Sequence, residues 1–427
     1  MNKNIEVNFK GKSLKGILIN EDESYLTIKL SSGYNANIKK SDVKIISQNE
    51  IKVVDKKIAK LEVDKNLPKI SILHTGGTIA SKVDYATGAV SSKFTPEELL
   101  LQYLELNEIA NISTKMIGNL MSEDLRFEHY NLILKAIDEE IKKGCGGIII
   151  SHGTDTMHYT SAALQYACKN LAIPVLLVGA QRSSDRASSD AFGNLNAAVD
   201  FIINNLKKDK KYLRVGVCMH KTINDDNEFL ILDGINVKKM HSSRRNAFKQ
   251  INYLPFAEVK NGKVKVLRED LLSFLSENKF SYTEYNTSIK IGFFKAHPNL
   301  FPEEIDALKI YDGVVIEGTG LGHLAVSEFD EYTKINLKNL NAVKNLIKKT
   351  KIVIGVQTVY GQTNMNIYSS GRYLLETGVL GQGMNLIAES LFCRMAYCLS
   401  QKEKKFEEIW NENLEGFDCR NIDIEEE

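Results

Sequence analysis

The sequence lacks the patterns that place a protein in a membrane or outside the cell. Its first residues, MNKNIEVNFKGK, contain no apolar core of a signal peptide. No stretch approaches the roughly 18 uninterrupted apolar residues of a membrane span. The six cysteines form no CxxC pair and several lie in apolar runs, which argues against a zinc site or a disulfide framework. We therefore expect a cytoplasmic protein with buried cysteines, no metal site and no membrane contact.

The sequence also lacks the charge excess of a nucleic-acid-binding protein. Its 55 Lys and Arg against 54 Asp and Glu give a formal net charge of +1, so charge alone does not predict direct binding to nucleic acid. Six prolines and 28 glycines leave no room for a long disordered or collagen-like region. A length of 427 residues predicts two or three globular domains.

Residues 1–68 differ in pattern from the rest of the chain. The segments GKSLKGILI, SYLTIKL and YNANIKK alternate apolar and polar residues, and short polar turns separate them. This length fits a small five-stranded β-barrel of the SH3 or Sm kind, followed by a charged linker. Such barrels usually bind or dock, so no chemistry is predicted here.

From residue 69 onward, short apolar strands alternate with helical patterns, and each strand ends in a polar loop. This alternation predicts an α/β domain with a parallel-rich sheet over 69–265. Residues 251–288 interrupt the alternation and indicate a connection between two lobes. A second, smaller α/β domain is predicted over 266–427, ending in an acidic tail. In such sheets ligands bind beyond the carboxyl ends of the strands, where the polar loops gather.

The first of these loops contains His74-Thr75-Gly76-Gly77-Thr78. The two glycines allow a tight turn and a close approach to a ligand. Thr78 then presents a hydroxyl beside backbone amides, which is the arrangement that acyl transfer requires. The alternative is a plain strand-to-loop turn, and this motif alone does not separate the two.

The second loop, Ser151-His152-Gly153-Thr154-Asp155-Thr156, also follows a buried strand. Asp155 is a candidate partner for the α-ammonium of a substrate, and Thr154 is a candidate for positioning water or passing a proton. The other interpretation is a helix N-cap, because Thr and Asp are common at that position, and the two interpretations can hold together. His152 and the later His323 are interpreted as structural hydrogen-bonding residues.

TGGTIA followed by HGTDT resembles the L-asparaginase and glutaminase family over most of residues 69–400. The resemblance implies an active site between two α/β domains and amide hydrolysis by a threonine nucleophile. By position in the motifs, Thr78 matches this nucleophile and Tyr85 the loop tyrosine that activates it. Thr154, Asp155 and Lys239 match a second triad. The alternatives are an exposed loop aromatic for Tyr85 and a surface lysine beside Lys238 for Lys239.

The resemblance also implies a substrate-binding set, which comprises Ser122, Glu123, Gly77 and Gly153. Ser122 matches the serine that binds the substrate carboxylate. Asn364-Met365-Asn366 stands where the family places a carboxylate from a neighbouring subunit, and no glutamate is present there. No metal or organic cofactor is implied at the site.

The N-terminal barrel and the loops SKVDYATGAV, GAQRSSDRASSDAFGN and QTVYGQTNMNIYSSGR resemble the family of D subunits of archaeal glutamyl-tRNA(Gln) amidotransferases. This resemblance implies glutamine as substrate and ammonia transfer to the E subunit, which binds tRNA(Gln) and uses ATP and Mg. It also implies a homodimer within a heterotetramer. A free cytoplasmic L-asparaginase and a non-catalytic docking or RNA-binding scaffold remain the alternatives. The charged loop Arg182–Arg186 is interpreted as a solvated loop or as a partner contact or ammonia exit.

Overall fold

The computed structural model describes most of the chain. The described residues are 3–30, 35–50, 64–77, 81–83, 90–92, 104–182, 189–224 and 227–416. The longest helices among them, Phe127–Lys142 and Ala191–Leu206, have 16 residues each. No described helix combines the length and apolar character of a membrane-spanning segment.

The N-terminal residues form one antiparallel sheet of five strands, which we call the N-terminal sheet. In spatial order its strands are Asn35–Lys39, Tyr25–Leu30, Lys12–Glu21, Lys3–Phe9 and Val43–Glu50. Its core consists of the buried side chains of Ile5, Val7, Leu26, Ile28 and Ile38, as the alternating pattern predicts. Five short strands are thus present, and closure into a barrel stays a prediction.

An eight-stranded sheet, the large sheet, follows. Five strands are parallel, in spatial order Asn111–Leu120, Lys69–Gly76, Gly147–Ser151, Val175–Val178 and Val215–His220. Glu228–Asp233, Ala257–Lys260 and Lys263–Val266 extend it with antiparallel pairing. The interpretation of residues 251–288 as a connection is therefore wrong for 257–266. This hairpin joins the sheet because Ala257 and Val259 are buried against its core.

Three parallel strands form the small sheet of the C-terminal part, in the order Ile291–Lys295, Gly313–Gly318 and Lys351–Val356. The predicted second series of strands is thus confirmed. Further two-stranded pairs are Ser81–Val83 with Val90–Ser92, Cys168–Lys169 with Ser281–Tyr282, Lys211–Tyr212 with Leu272–Ser273, and Val237–Lys239 with Phe248–Gln250. The other α-helices in the described part of the chain are Met157–Ala167, Pro302–Asp306, Ile335–Leu346, Ser369–Glu376, Ala388–Ser400 and Phe406–Trp410.

The helices Met157–Ala167 and Ala388–Ser400 pack against each other and join the two sheets. Phe392 on the second helix stacks on Phe293 of the small sheet, with ring centroids 5.3 Å apart. The thiol of Cys393 donates to the carbonyl of Tyr159 on the first helix at 3.2 Å. Burial of this apolar surface holds the C-terminal strands in a defined position relative to the loops of the large sheet.

Candidate active site

Three chain segments meet beyond the carboxyl ends of the parallel strands, and glycine allows their close approach. Gly76 and Gly77 have φ of +113° and +79°. A Cβ atom at Gly76 would lie 2.3 Å from the carbonyl oxygen of Leu120, and one at Gly77 would lie 2.4 Å from the amide nitrogen of Gly153. Both the backbone conformation and the lack of space exclude other residues here.

Gly153 lies in turn against Ser122. A Cβ at Gly153 would be 2.8 Å from the Cβ of Ser122, whose side chain is buried at the start of the 3₁₀ turn Ser122–Asp124. The hydroxyl of Thr156 donates to the carbonyl of Ser122 at 2.7 Å, which joins the two loops. The structure therefore brings Gly77, Gly153 and Ser122 together, while Glu123 is exposed next to Ser122.

The amide of Gly77 does not contribute a free donor for an oxyanion. It donates to the carbonyl of Leu120 at 3.1 Å. Thr78 follows directly in the chain and lies outside the described residues. Tyr85 also lies outside the described residues; in the sequence it falls between the paired strands Ser81–Val83 and Val90–Ser92.

Lys239 lies beside the second loop. Its Nζ donates to Oγ1 of Thr154 at 2.8 Å and to Oδ1 of Asp155 at 2.5 Å. The Lys239 side chain is 9% exposed, whereas that of Asp155 is 67% exposed. The three residues predicted to form the second triad are thus in direct contact, although Lys239 and Asp155 are 84 positions apart.

The surface-lysine interpretation of Lys239 does not match these contacts. Adjacent side chains of a strand point to opposite sides, and in the strand Val237–Lys239 the Nζ of Lys238 instead donates to Oε1 of Glu389. Because an ammonium group only donates hydrogen bonds, Thr154 accepts from a charged Lys239 and keeps its own proton for another acceptor.

The N-cap of the following helix is Thr156 of the same motif, and its side chain makes no capping hydrogen bond; Thr154 and Asp155 lie before it. The helix Met157–Ala167 begins after Thr156. The methyl group of Thr154 packs against the backbone of Gly179, where an added Cβ would lie 2.7 Å from the methyl carbon. This packing limits the rotamers of Thr154 and holds its hydroxyl toward Lys239.

Comparison with protein families agrees with this geometry. Residues 69–272 match the asparaginase N-terminal family model, and residues 290–411 match the glutaminase/asparaginase C-terminal domain. A protein of Methanosphaera stadtmanae, named as the D subunit of glutamyl-tRNA(Gln) amidotransferase, is 40% identical over 92% of this chain and 87% of its own length. The chain belongs to the asparaginase family, in its branch of amidotransferase D subunits. The resemblance of the TGGTIA and HGTDT motifs is thereby confirmed.

Two other proteins of the family are also similar over most of this chain. The protein of Pyrococcus furiosus with the same name as that of M. stadtmanae is 38% identical over 92% of this chain and 86% of its own length. The thermostable L-asparaginase from Thermococcus kodakarensis superimposes with a TM-score of 0.69 at 29% identity, covering 82% of this chain and 98% of that one. The predicted asparaginase-like pair of α/β domains is thus confirmed.

His152 of the HGTDT motif is buried, and both of its ring nitrogens are hydrogen-bonded. Its Nδ1 lies 2.6 Å from the carbonyl of Gly153, and its Nε2 lies 2.9 Å from Oγ1 of Thr160. A carbonyl only accepts, so Nδ1 carries the proton and Nε2 accepts from the Thr160 hydroxyl. Burial lowers the pKa of His152 to about 4, with an opposing contribution from the Gly153 carbonyl. The ring is therefore neutral near pH 7, consistent with the structural interpretation.

Asp190 is a residue of this region that the sequence analysis missed. Its buried carboxylate accepts from the amides of Gln181 and Arg182 at 3.0 Å. The backbone amide of Arg182 is thereby hydrogen-bonded. The rest of the charged loop, residues 183–188, lies outside the described part. The signal in the sequence was Ser-Ser-Asp directly before the helix Ala191–Leu206.

The segment Asn364–Asn366 places amides where the family resemblance implies a carboxylate. The backbone amide of Asn364 donates to the carbonyl of Leu321 at 2.9 Å, and its side-chain oxygen accepts from Nε2 of Gln382 at 3.3 Å.

Among the residues that the structure describes, no cluster of three His, Cys, Asp or Glu side chains is arranged to hold a metal ion. That catalysis here requires no metal stays a prediction.

Proposed function

We propose that this chain is the glutamine amidohydrolase subunit of a tRNA-dependent amidotransferase. The observation that supports the catalytic part is the contact of Lys239 with Thr154 and Asp155, beside the glycine turn that leads into Thr78. The names of the relatives support the substrate and the assembly, since these proteins are called D subunits of glutamyl-tRNA(Gln) amidotransferase.

In the proposed reaction, Oγ1 of Thr78 attacks the side-chain amide carbon of glutamine, with Tyr85 accepting its proton. Backbone amides other than that of Gly77 hold the oxyanion of the tetrahedral intermediate. The carbon–nitrogen bond breaks, the leaving nitrogen takes a proton and departs as ammonia, and a glutamyl ester on Thr78 remains. Water then attacks this ester, which releases glutamate and restores the Thr78 hydroxyl.

The second triad serves the proton transfers and substrate binding in this proposal. Thr154 and Lys239 form a hydrogen-bonded relay that positions water or passes a proton. The exposed carboxylate of Asp155 binds the α-ammonium of glutamine and holds Lys239. Ser122 binds the α-carboxylate of the substrate, and Glu123, Gly77 and Gly153 belong to the same substrate-binding set.

The ammonia passes to a partner, the E subunit of the amidotransferase, which converts Glu-tRNA(Gln) to Gln-tRNA(Gln). The partner binds tRNA(Gln) and uses ATP and Mg, so this chain needs no cofactor of its own. The proposed assembly is a homodimer of this chain within a heterotetramer, located in the cytoplasm. The near-zero net charge of the chain fits a subunit that leaves most phosphate contacts to its partner.

The nucleophile is tested by Thr78→Ala, assayed as ammonia release from glutamine. Release should fall to background while the thermal unfolding temperature stays unchanged. Thr287→Ala, the same change at an exposed threonine, is the matched control and should retain activity. Ammonia release by Thr78→Ala at the unsubstituted rate would exclude Thr78, and no release by the unsubstituted chain with its partner would favour a non-catalytic scaffold.

The substrate and the partner need a second experiment. Turnover of glutamine and asparagine is measured for the isolated chain and again with a homologue of the E subunit, ATP, Mg and Glu-tRNA(Gln). We expect glutamine turnover to rise with the complete mixture and Gln-tRNA(Gln) to form. A strong preference for asparagine that does not depend on the partner would instead identify a free L-asparaginase.

A further inference from the structure

The strand that carries Lys239 has little support of its own. Val237–Lys239 pairs only with Phe248–Gln250 among the described strands and is not part of the large sheet. An isolated two-stranded ribbon is at best marginally stable in water. Contacts from elsewhere must therefore determine where the Nζ of Lys239 lies.

Residues 385–390, at the start of the helix Ala388–Ser400, provide the first of these contacts. They bind Asn236, which directly precedes the strand and has φ of +58°. The side chain of Asn236 donates to the carbonyl of Asn385 at 2.9 Å and accepts from the amide of Ile387 at 3.0 Å. The backbone amide of Asn236 donates to Oγ of Ser390 at 3.1 Å. One end of the strand is thus fixed to the C-terminal part.

Glu389 of the same segment holds the middle of the strand. Its Oε1 accepts from Nζ of Lys238, the residue adjacent to Lys239. The Glu389 side chain is largely buried, and Nε2 of His158 lies 3.8 Å from the same oxygen. A charged hydrogen bond with this degree of burial is stronger and better defined than an exposed ion pair.

We propose that Glu389 is a positioning residue for catalysis, acting through Lys238 on the strand that presents Lys239 to Thr154. The ion pair fixes one face of the strand, so Lys239 on the other face keeps both of its contacts. Catalytic groups need placement to within about half an ångström. The C-terminal part of the chain thereby sets where Lys239 lies relative to Thr154 and Asp155, which follow a strand of the large sheet. This inference rests on the proposed function of Lys239.

The experiment is a double-mutant cycle between Glu389→Gln and Lys239→Met in the full chain, assayed together with its amidotransferase partner. Glu389→Gln alone should lower kcat for glutamine about 10-fold or more, with KM changed little, because a small displacement of Lys239 slows the chemical step. Glu389→Asp should recover part of the loss. In the Lys239→Met background Glu389→Gln should have no further effect, since its action passes through Lys239.

Two further variants serve as a control and as a second way to remove the ion pair of Glu389. Glu407→Gln removes the exposed ion pair of Glu407 with Lys351 in the same part of the chain and should leave kcat unchanged. Lys238→Met removes the other partner and should reproduce the loss, even if Glu389→Gln folds poorly. Equal losses from Glu389→Gln with and without Lys239 would overturn the inference. If Lys239→Met has no effect on turnover, it is the proposed function that fails.

Discussion

Gly77 and Gly153 touch through their backbones, at a distance that leaves no space for a side chain between the two loops. A Cβ at Gly77 would lie 2.4 Å from the amide nitrogen of Gly153 and 2.5 Å from its Cα. Because Thr78 and Thr154 follow these glycines directly, the contact sets the separation of the two hydroxyl-bearing loops.

Gly77→Ala should therefore abolish ammonia release, because the added methyl group separates the two loops. Gly144→Ala is the matched control, since Gly144 has nearly the same φ, +76°, and nothing within 4 Å of an added Cβ. The control should lose about 1 kcal/mol of unfolding free energy from backbone strain alone and keep its activity. Unfolding in urea and glutamine turnover measure both effects. Full activity in Gly77→Ala would show that the contact is not required.

Lys239→Met should lower kcat for glutamine by a factor on the order of 100 or more, since it removes the group that activates or orients the Thr154 hydroxyl. KM should change less, because Ser122 and Asp155 remain. The control is Lys249→Met, the same change at an exposed lysine of the paired strand Phe248–Gln250. Steady-state kinetics of both variants separate a catalytic loss from a general effect of removing a lysine. Equal kcat values in the two variants would contradict the prediction.

Glu415→Ala should destabilise the protein by about 3–5 kcal/mol, because it leaves the charge of Arg394 buried and without its carboxylate. Arg394 is 2% exposed and Glu415 is 1% exposed, and the hydroxyl of Tyr166 also donates to Glu415. The control is Glu412→Ala, which removes the exposed ion pair with Lys404 and should change stability by less than about 1 kcal/mol. Chemical denaturation compares the two. Similar unfolding free energies would mean that the buried pair adds no stability.

Acid should destabilise the fold through two buried histidines. Burial lowers the pKa of both His152 and His158 from the ordinary value of 6.5 to about 4. The unfolded chain then binds more protons than the folded one between these values, so the free energy of unfolding is highest above pH 6.5 and falls as pH drops toward 4. His158→Gln should reduce this fall, measured by urea unfolding at a series of pH values.

His297→Gln supplies a control of opposite sign. The pKa of His297 is raised by the carbonyl of Pro298 and by the carboxylate of Glu304, so this histidine contributes stability that is present below its unfolded pKa and lost above its folded pKa. Its removal should make the fall of stability with acid steeper. A fall that is the same in both variants would exclude these histidines as its source.

Much of the fold follows from local patterns in the chain. The alternating segments of residues 1–50 and the apolar strands at 70–73, 147–150 and 175–178 were predicted from periodicity alone. The hairpin 257–266 was missed, because whether an alternating segment pairs with a sheet edge depends on what else covers that edge. Asp190 was missed for a similar reason, since its partners are the backbone amides of Gln181 and Arg182, nine and eight positions away.

By itself the sequence determined that the glycine turns before Thr78 and Thr154 end parallel strands, and that their polar residues therefore gather at one edge of the large sheet. The family resemblance named Lys239, and only the tertiary structure decided that it, rather than Lys238, reaches Thr154 and Asp155. Lys238 and Lys239 are chemically identical neighbours, and their side chains point to opposite sides of the strand. The partners that distinguish them, Glu389 and Thr154, lie 151 and 85 positions away. Local pattern carries no information about which distant residues these are, because packing of the helix Ala388–Ser400 against the helix Met157–Ala167 brings them together.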